Sequence, residues 1–308
     1  MDHQTLQRHD DTAGAAAGPA PDRARRLFSM CLCGLPFAGL GLGAPRTAHA
    51  QECGRILGVG GPSGVTKLVS AEQIEQAAAQ QYLQLKQEAT SKRALAPANH
   101  PQLVRLRAIA ERIVPLTADC NPRARQWQWE VNLLASSQIN AFCMPGGKIA
   151  FFTGILEKLR LTDDEVAMIM GHEIAHATQE HARERIGKTT ATRGVIEIGA
   201  ALLGLGSGGR LLADLGGQLL TLKYSRDDET EADKIGLVLA ARAGYDPRAG
   251  VSLWQKMAEA SKGAPPQFLS THPSGPTRIR EIEESLPRVE PIYERAPRPA
   301  RRFEPAGS

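Results

Sequence analysis

Residues 172–176 read His172-Glu173-Ile174-Ala175-His176, and this spacing constrains the chain more than any other feature in it. On an α-helix, positions i and i+4 share a face, so two imidazoles can grip one metal ion while the intervening glutamate stands beside it. A suitable helix is written around the pattern. Thr162-Asp163-Asp164-Glu165 predicts a capping box with acid in the first turn, and Val166, Met168, Ile169, Met170, Ile174 and Ala175 supply apolar positions. No proline or glycine interrupts the run between Gly171 and Gly187. Gly171 weakens a helix and is read as a concession to crowding at the site. The plain alternative is a core helix with two solvated histidines; the cap, the register and an acidic partner downstream argue against it.

A catalytic metal of this kind needs a third protein ligand. One known pattern places a glycine and a third histidine at fixed offsets after the motif, but those positions hold Gln179 and Ala182. His181 falls about 180° from His172 around a continuous helix and is expected to face away, as a surface or second-layer histidine. Residues 224–236 read Tyr-Ser-Arg-Asp-Asp-Glu-Thr-Glu-Ala-Asp-Lys-Ile-Gly and put Glu229 and Asp233 on one helical face. A glutamate there can bind metal, and an aspartate one turn on can accept the other N–H of a ligating histidine. Such an acidic run standing alone is usually a solvated face. Beside H-E-x-x-H it reads as the other half of a metal site.

Four segments together resemble the HtpX and CAAX-prenyl-endopeptidase family of zinc metallopeptidases, metallopeptidase family 48. They are Asn140-Ala-Phe-Cys-Met-Pro-Gly-Gly-Lys-Ile149, H-E-I-A-H, the S-R-x-x-E-x-E-A-D-x-x-G run from Ser225, and Thr271-His272-Pro273-Ser274-Gly275-Pro276-Thr277-Arg278-Ile279. Their order is the family's, and they cover about residues 70–286; Gly275-Pro276-Thr277 departs slightly from the Thr-Pro-Glu often found there. The resemblance implies an α+β, mostly helical, zincin-like (gluzincin) metalloprotease domain with a small β-sheet or hairpin beside the active-site helix. It implies one Zn2+ held by His172, His176 and Glu229, with Glu173 as general base and Asp233 behind a ligand. His272 and Arg278 would approach the metal from the C-terminal side, as oxyanion donors or, for His272, as a latch on the open zinc position. The implied activity is a zinc metalloendopeptidase cleaving misfolded or damaged envelope proteins, with Glu173 activating the attacking water. Among the family, the soluble periplasmic branch looks most similar. It implies unfolded or misfolded envelope proteins as substrates and the outer-membrane assembly machinery as a partner.

The first of those segments carries a hairpin signal. Asn140 to Met144 and Lys148 to Thr153 flank Pro145-Gly146-Gly147, with a further strand expected over Trp127–Leu134. An exposed edge strand at Asn140, Ala141 and Phe142 suits a protease that reads peptide backbone.

The remainder sets the bounds. Arg23, Arg25 and Arg26, an uncharged run from Leu27 to Pro45, and Ala48-His49-Ala50 read as a signal peptide over 1–50, exported by the Sec or Tat route and cleaved after about Ala50. This predicts a periplasmic protein. Residues 51–69 would form an N-terminal extension, 70–286 the metallopeptidase domain, and the Pro- and Arg-rich 287–308 a disordered tail. Helices are expected over about 71–94 behind Ser70, after Pro101, over 247–261 and over 276–286. The Gly- and Leu-rich stretch 194–221 lacks a spanning apolar run and is read as a lid, or a surface for peripheral contact with membrane or client protein. With 37 Lys and Arg against 33 Asp and Glu, a net charge of +4 does not argue for nucleic acid. Cys53, Cys120 and Cys143 allow one disulfide of undetermined pairing. Two rival functions stay open: a non-proteolytic chaperone or assembly factor using the same cleft, which would not need Glu173, and a membrane-anchored protease.

Overall fold

The computed structural model describes residues 52–193, 219, 222–262, 266–273 and 276–307. The expected signal peptide over 1–50 and nearly all of the stretch 194–221 lie outside the described residues. The α-helices are α1 (Glu52–Arg55), α2 (Ala71–Ser91), α3 (Pro101–Ile113), α4 (Thr153–Leu159), α5 (Asp163–Thr178), α6 (His181–Arg193), α7 (Arg226–Arg242), α8 (Ala249–Ala260), α9 (Gln267–Thr271) and α10 (Pro276–Arg295). A three-stranded sheet of β1 (Glu130–Leu134), β2 (Ala141–Met144) and β3 (Lys148–Phe152) lies beside them, in the order β1-β3-β2. The mostly helical architecture with one small sheet is the one expected.

Helix α5 starts where its capping box predicts. Thr162 Oγ1 accepts the Glu165 amide proton at 3.3 Å, and Glu165 Oε2 accepts that of Thr162 at 2.8 Å. Its first residue, Asp163, is locked in a buried pair with Arg105 on α3, Nε to Oδ1 2.6 Å. Every residue of α5 but Asp164 is buried, so α5 is the central rod of the core. Helix α7 crosses it with two glycines in contact. A Cβ on Gly171 would stand 2.7 Å from the Gly236 carbonyl oxygen, and one on Gly236 would stand 2.7 Å from the His172 amide nitrogen. Gly171 is therefore a concession to crowding, as expected, and what it makes room for is the backbone of the second helix. This close approach brings His172 and Asp233 face to face.

Among the described residues no strand pairs with the outer side of β2. Strand β3 is central, parallel to β1 and antiparallel to β2. The outer side of β1 is covered by residues 94–96, with Ala96 donating to the Leu133 carbonyl and Ala135 to that of Ala94. The hairpin between β2 and β3 turns through Pro145, Gly146 and Gly147; the two glycines have φ of +81° and +79°, a region open to them at little cost. β1 is shorter than expected, because Trp127 and Trp129 turn aside, their indole nitrogens donating to Glu75 Oε1 and the Ala124 carbonyl.

Both ends of the described chain pack on this core. In the N-terminal extension, Cys53 is buried and joined to Cys120, leaving Cys143 as a buried free thiol. The expectation of a disordered tail from 287 is corrected. Helix α10 runs through Pro287 and Pro291 to Arg295, because Ile279, Ile282, Val289 and Ile292 form a stripe that packs on the core. The two prolines are four apart, and their missing amides are tolerated where the helix is not fully buried. Beyond it, the Phe303 amide donates to Asp163 Oδ2 at 2.8 Å and Ala306 is buried. Among the described residues no helix is long and apolar enough to cross a membrane.

Candidate metal centre

His172 and His176 project from one face of α5, and Glu229 meets them from the first turn of α7. Helix α7 has its own capping box, Ser225 with Asp228, which fixes where that turn begins. Among the described residues, His172, His176, Glu229 and His272 each offer a ligand atom, all within 4.8 Å of one another and all buried. The Nε2 atoms of His172 and His176 are 3.1 Å apart, and Glu229 lies 3.6 and 3.3 Å from them.

The donor set fits zinc. It is made of imidazole nitrogen and carboxylate oxygen, which suit that ion, and the imidazoles must be neutral to coordinate. Burial pushes the His176 imidazole well below its ordinary value, so it is neutral. Burial would raise the Glu229 carboxyl, but the His176 and His272 imidazoles beside it outweigh this and hold it far below the usual range. Glu229 is thus ionised.

Groups behind the donors hold them in place. Asp233 Oδ1 accepts from His172 Nδ1 at 2.9 Å, which turns Nε2 toward the other donors. Arg278 clamps both carboxylates: Nε and Nη2 donate to Asp233 at 2.7 and 2.6 Å, and Nη1 to Glu229 Oε2 at 2.6 Å. Its guanidinium also lies 3.6 Å from the Trp254 ring centroid on α8. The sequence placed Arg278 near the metal as an oxyanion donor. In the structure its hydrogen bonds go to Asp233, Glu229 and the Pro273 carbonyl, and Nη2 lies 3.3 Å from His172 Nδ1. His272 occupies the position between ligand and base: Nδ1 is 3.1 Å from Glu229 Oε1, and Nε2 is 3.5 Å from Glu173 Oε1. Phe268 stacks on it with centroids 4.5 Å apart.

Glu173 differs from its neighbours. Its Oε1 is buried without a hydrogen-bond partner among the described residues. Burial raises its carboxyl above the ordinary value, with His272, His172 and a backbone hydrogen bond from Cys143 on β2 pulling the other way. A cleft of about 400 Å³ opens here, bounded by Glu173, His272, Tyr224 and the β2 edge. The Phe152 amide donates to the Asn140 carbonyl, so alternation assigns the main-chain groups of Asn140 and Phe142 to β3. The main-chain groups of Ala141 and Cys143 face away from β3, where the Ala141 amide donates to Asn140 Oδ1 at 3.0 Å and that of Cys143 to Glu173, and Asn140 and Phe142 line the cleft.

Near the metal group, Tyr224 escaped the sequence reading of the site, and His181 takes the second-layer place given as one alternative but not the direction expected. Tyr224 stacks on His176, ring centroids 3.9 Å apart, and nothing but its place just before the acidic motif marks it. His181 does not face away. α5 ends at Thr178, Glu180 takes a left-handed φ of 58°, and a new helix starts at His181, so the 180° offset of a continuous helix no longer applies. His181 comes back to within 2.9 Å of His176, Nδ1 to Nδ1.

An H-E-x-x-H helix crossed by a second helix that supplies the carboxylate, beside an edge strand, defines a metallopeptidase of the two-histidine, one-glutamate class. Residues 100–286 match the model of peptidase family M48, and the chain belongs to that family. It is 37% identical over 197 residues to the mitochondrial metalloendopeptidase OMA1 of Schizosaccharomyces pombe, covering 63% of this chain and 56% of the relative. It is 35% identical over 192 residues to the human mitochondrial metalloendopeptidase OMA1, covering 57% and 36%. To the beta-barrel assembly-enhancing protease of Yersinia pestis it is 32% identical over 171 residues, covering 52% and 35%. The chain thus spans between about a third and just over half of these relatives' lengths.

The expectation of a periplasmic protein is corrected by these relationships. Several relatives are mitochondrial by name, and bacterial ones stand beside them, so kinship assigns no single compartment. The reading rested on residues 1–50, which lie outside the part that matches the family.

Proposed function

We propose that this chain is a zinc endopeptidase in which His172, His176 and Glu229 hold the metal and Glu173 is the general base. The observation that carries the reading is the convergence of these three donors beside a buried carboxylate oxygen that has no hydrogen-bond partner among the described residues, in the wall of a cleft bounded by the outer edge of β2. Zinc, when bound, supplies Lewis acidity that polarises an acyl oxygen and acidifies water. Glu173 takes the proton of the attacking water and returns it to the leaving amine. Its raised proton affinity suits both halves of that transfer. Asp233 holds His172, and Arg278 holds Asp233 and Glu229, so the donor atoms keep their aim through the reaction. The edge of β2 at Ala141 pairs with an extended peptide by main-chain hydrogen bonds, the Asn140 side chain giving up the Ala141 amide it holds at 3.0 Å. Leu85, Phe142, Phe152, Leu219 and Leu222 give the cleft an apolar lining. That combination favours unfolded segments with exposed apolar side chains, hence misfolded or damaged proteins as substrates. The name of the Yersinia pestis relative extends the proposal to proteins of β-barrel assembly as clients or partners.

The test is Glu173→Gln in the purified, zinc-loaded chain against an unfolded reporter protein. Zinc content stays at one per chain, and cleavage falls by about 10²–10⁴-fold, the usual contribution of general acid–base catalysis. Undiminished cleavage sinks the mechanism. A wild-type chain that binds zinc and client but never cuts would make it a chaperone instead.

A further inference from the structure

We propose that His181 is a positioning residue for the zinc ligand His176, with Glu231 fixing the tautomer through which it acts. The inference rests on the zinc site proposed above. His181 is buried, and both its ring nitrogens are engaged: Nδ1 lies 2.9 Å from His176 Nδ1, and Nε2 lies 3.3 Å from Glu231 Oε2.

Two nitrogens 2.9 Å apart share one proton, and with both rings neutral only two arrangements exist. If His181 donates, neutral His176 must carry its own proton on Nε2, which points at the other donors and could not then bind metal. If His176 donates from Nδ1, its Nε2 lone pair is free. His181 must then accept at Nδ1 and carry its proton on Nε2, where the Glu231 carboxylate stands to receive it. A carboxylate at that end selects the second arrangement, the one that makes His176 a ligand.

The two ligating histidines therefore have parallel support. His172 is held by a carboxylate directly, through Asp233; His176 is held through one intervening imidazole, with Glu231 behind it. α7 supplies both carboxylates, from positions 231 and 233, as well as the ligand at 229. The break after α5, with Glu180 in the left-handed region, is what brings His181 into place. A left-handed φ is disfavoured for a residue with a side chain, and such strain collects at functional sites.

The plain alternative is that His181 merely fills space against His176, whose ring it meets edge-on with centroids 5.0 Å apart. His181→Phe keeps that packing and removes the acceptor. His181→Asn keeps an acceptor oxygen near the place of Nδ1. Zinc affinity of each is measured by competition with a chromophoric chelator, and the metal's surroundings by the visible spectrum of the Co2+-loaded protein. Losing such a partner weakens metal binding by about 10–100-fold, so His181→Phe should show that loss and altered Co2+ bands. His181→Asn should stay within a few-fold of wild type. Equal zinc affinity in wild type and His181→Phe overturns the proposal, and so does an equal loss in Phe and Asn variants. If the Phe variant fails to fold, Glu231→Lys on a part-exposed side chain removes the acceptor without touching the core. It should weaken zinc, while Glu231→Gln, which still accepts, should not; equal behaviour of the two overturns the proposal. Failure of wild-type protein to bind zinc at all would instead sink the metallopeptidase reading.

Discussion

His272 faces two ways, with Nδ1 among the ligand atoms and Nε2 toward the base. Four donors make a closed site, whereas a catalytic site keeps one position open. If zinc takes all four donors, one moves aside for the reaction, and His272 is the one that comes from a short segment after α9 rather than from α5 or α7. The latch role suggested for His272 thus becomes a proposal with a direct test. His272→Ala is expected to retain zinc on the remaining three donors and to cut an unfolded reporter several-fold faster than wild type. Slower cleavage at unchanged zinc content would make His272 a donor to the developing oxyanion instead. At this scale most of the site was legible in the order of residues alone. Positions i and i+4 named His172 with His176 and Glu229 with Asp233, because helical spacing alone puts such pairs on one face. Tyr224, Phe268 and the hydrogen bonds of Arg278 were not legible there, since each depends on which elements meet.

At the scale of elements, the site is a crossing of α5 over α7 at Gly171 and Gly236. Gly171→Ala would gain about 1 kcal/mol of helix propensity. The new methyl would stand 2.7 Å from a backbone oxygen that has no flexible end to move, and overpacking of this kind costs about 1–3 kcal/mol. The clash wins. Thermal melting should fall by several degrees and zinc affinity should drop, because His172 and its partner carboxylates sit on the two helices forced apart; a raised melting temperature would refute this. Helix starts were readable from Thr162 and Ser70, both of which cap as expected. Helix ends were not. α5 stops at Thr178 without a glycine or proline, and α10 continues through two prolines, because contacts with other elements outweigh local preference in both cases.

For the whole molecule, the Cys53–Cys120 bridge closes a loop of sequence separation 67 and ties the N-terminal extension to the core. Loop-closure entropy for that length makes such a bridge worth about 4 kcal/mol. Cys53→Ser, or reduction, should lower the melting temperature by about 10 °C for a domain of this size, read by calorimetry, with Cys143 unaffected. An unchanged melting temperature would mean that the extension contributes nothing to the fold.

By itself the sequence determined the helix carrying H-E-x-x-H, the hairpin and the family, and pointed to the proposed ligands, because all of these follow from spacing along one element or from motifs written in continuous residues. Only the tertiary structure decided which way His181 points, what Arg278 holds, which cysteines pair and that the tail is ordered. Each of these depends on a contact between segments far apart in the chain. Periodicity says which face a side chain takes on its own helix, and says nothing about what the fold brings up against that face.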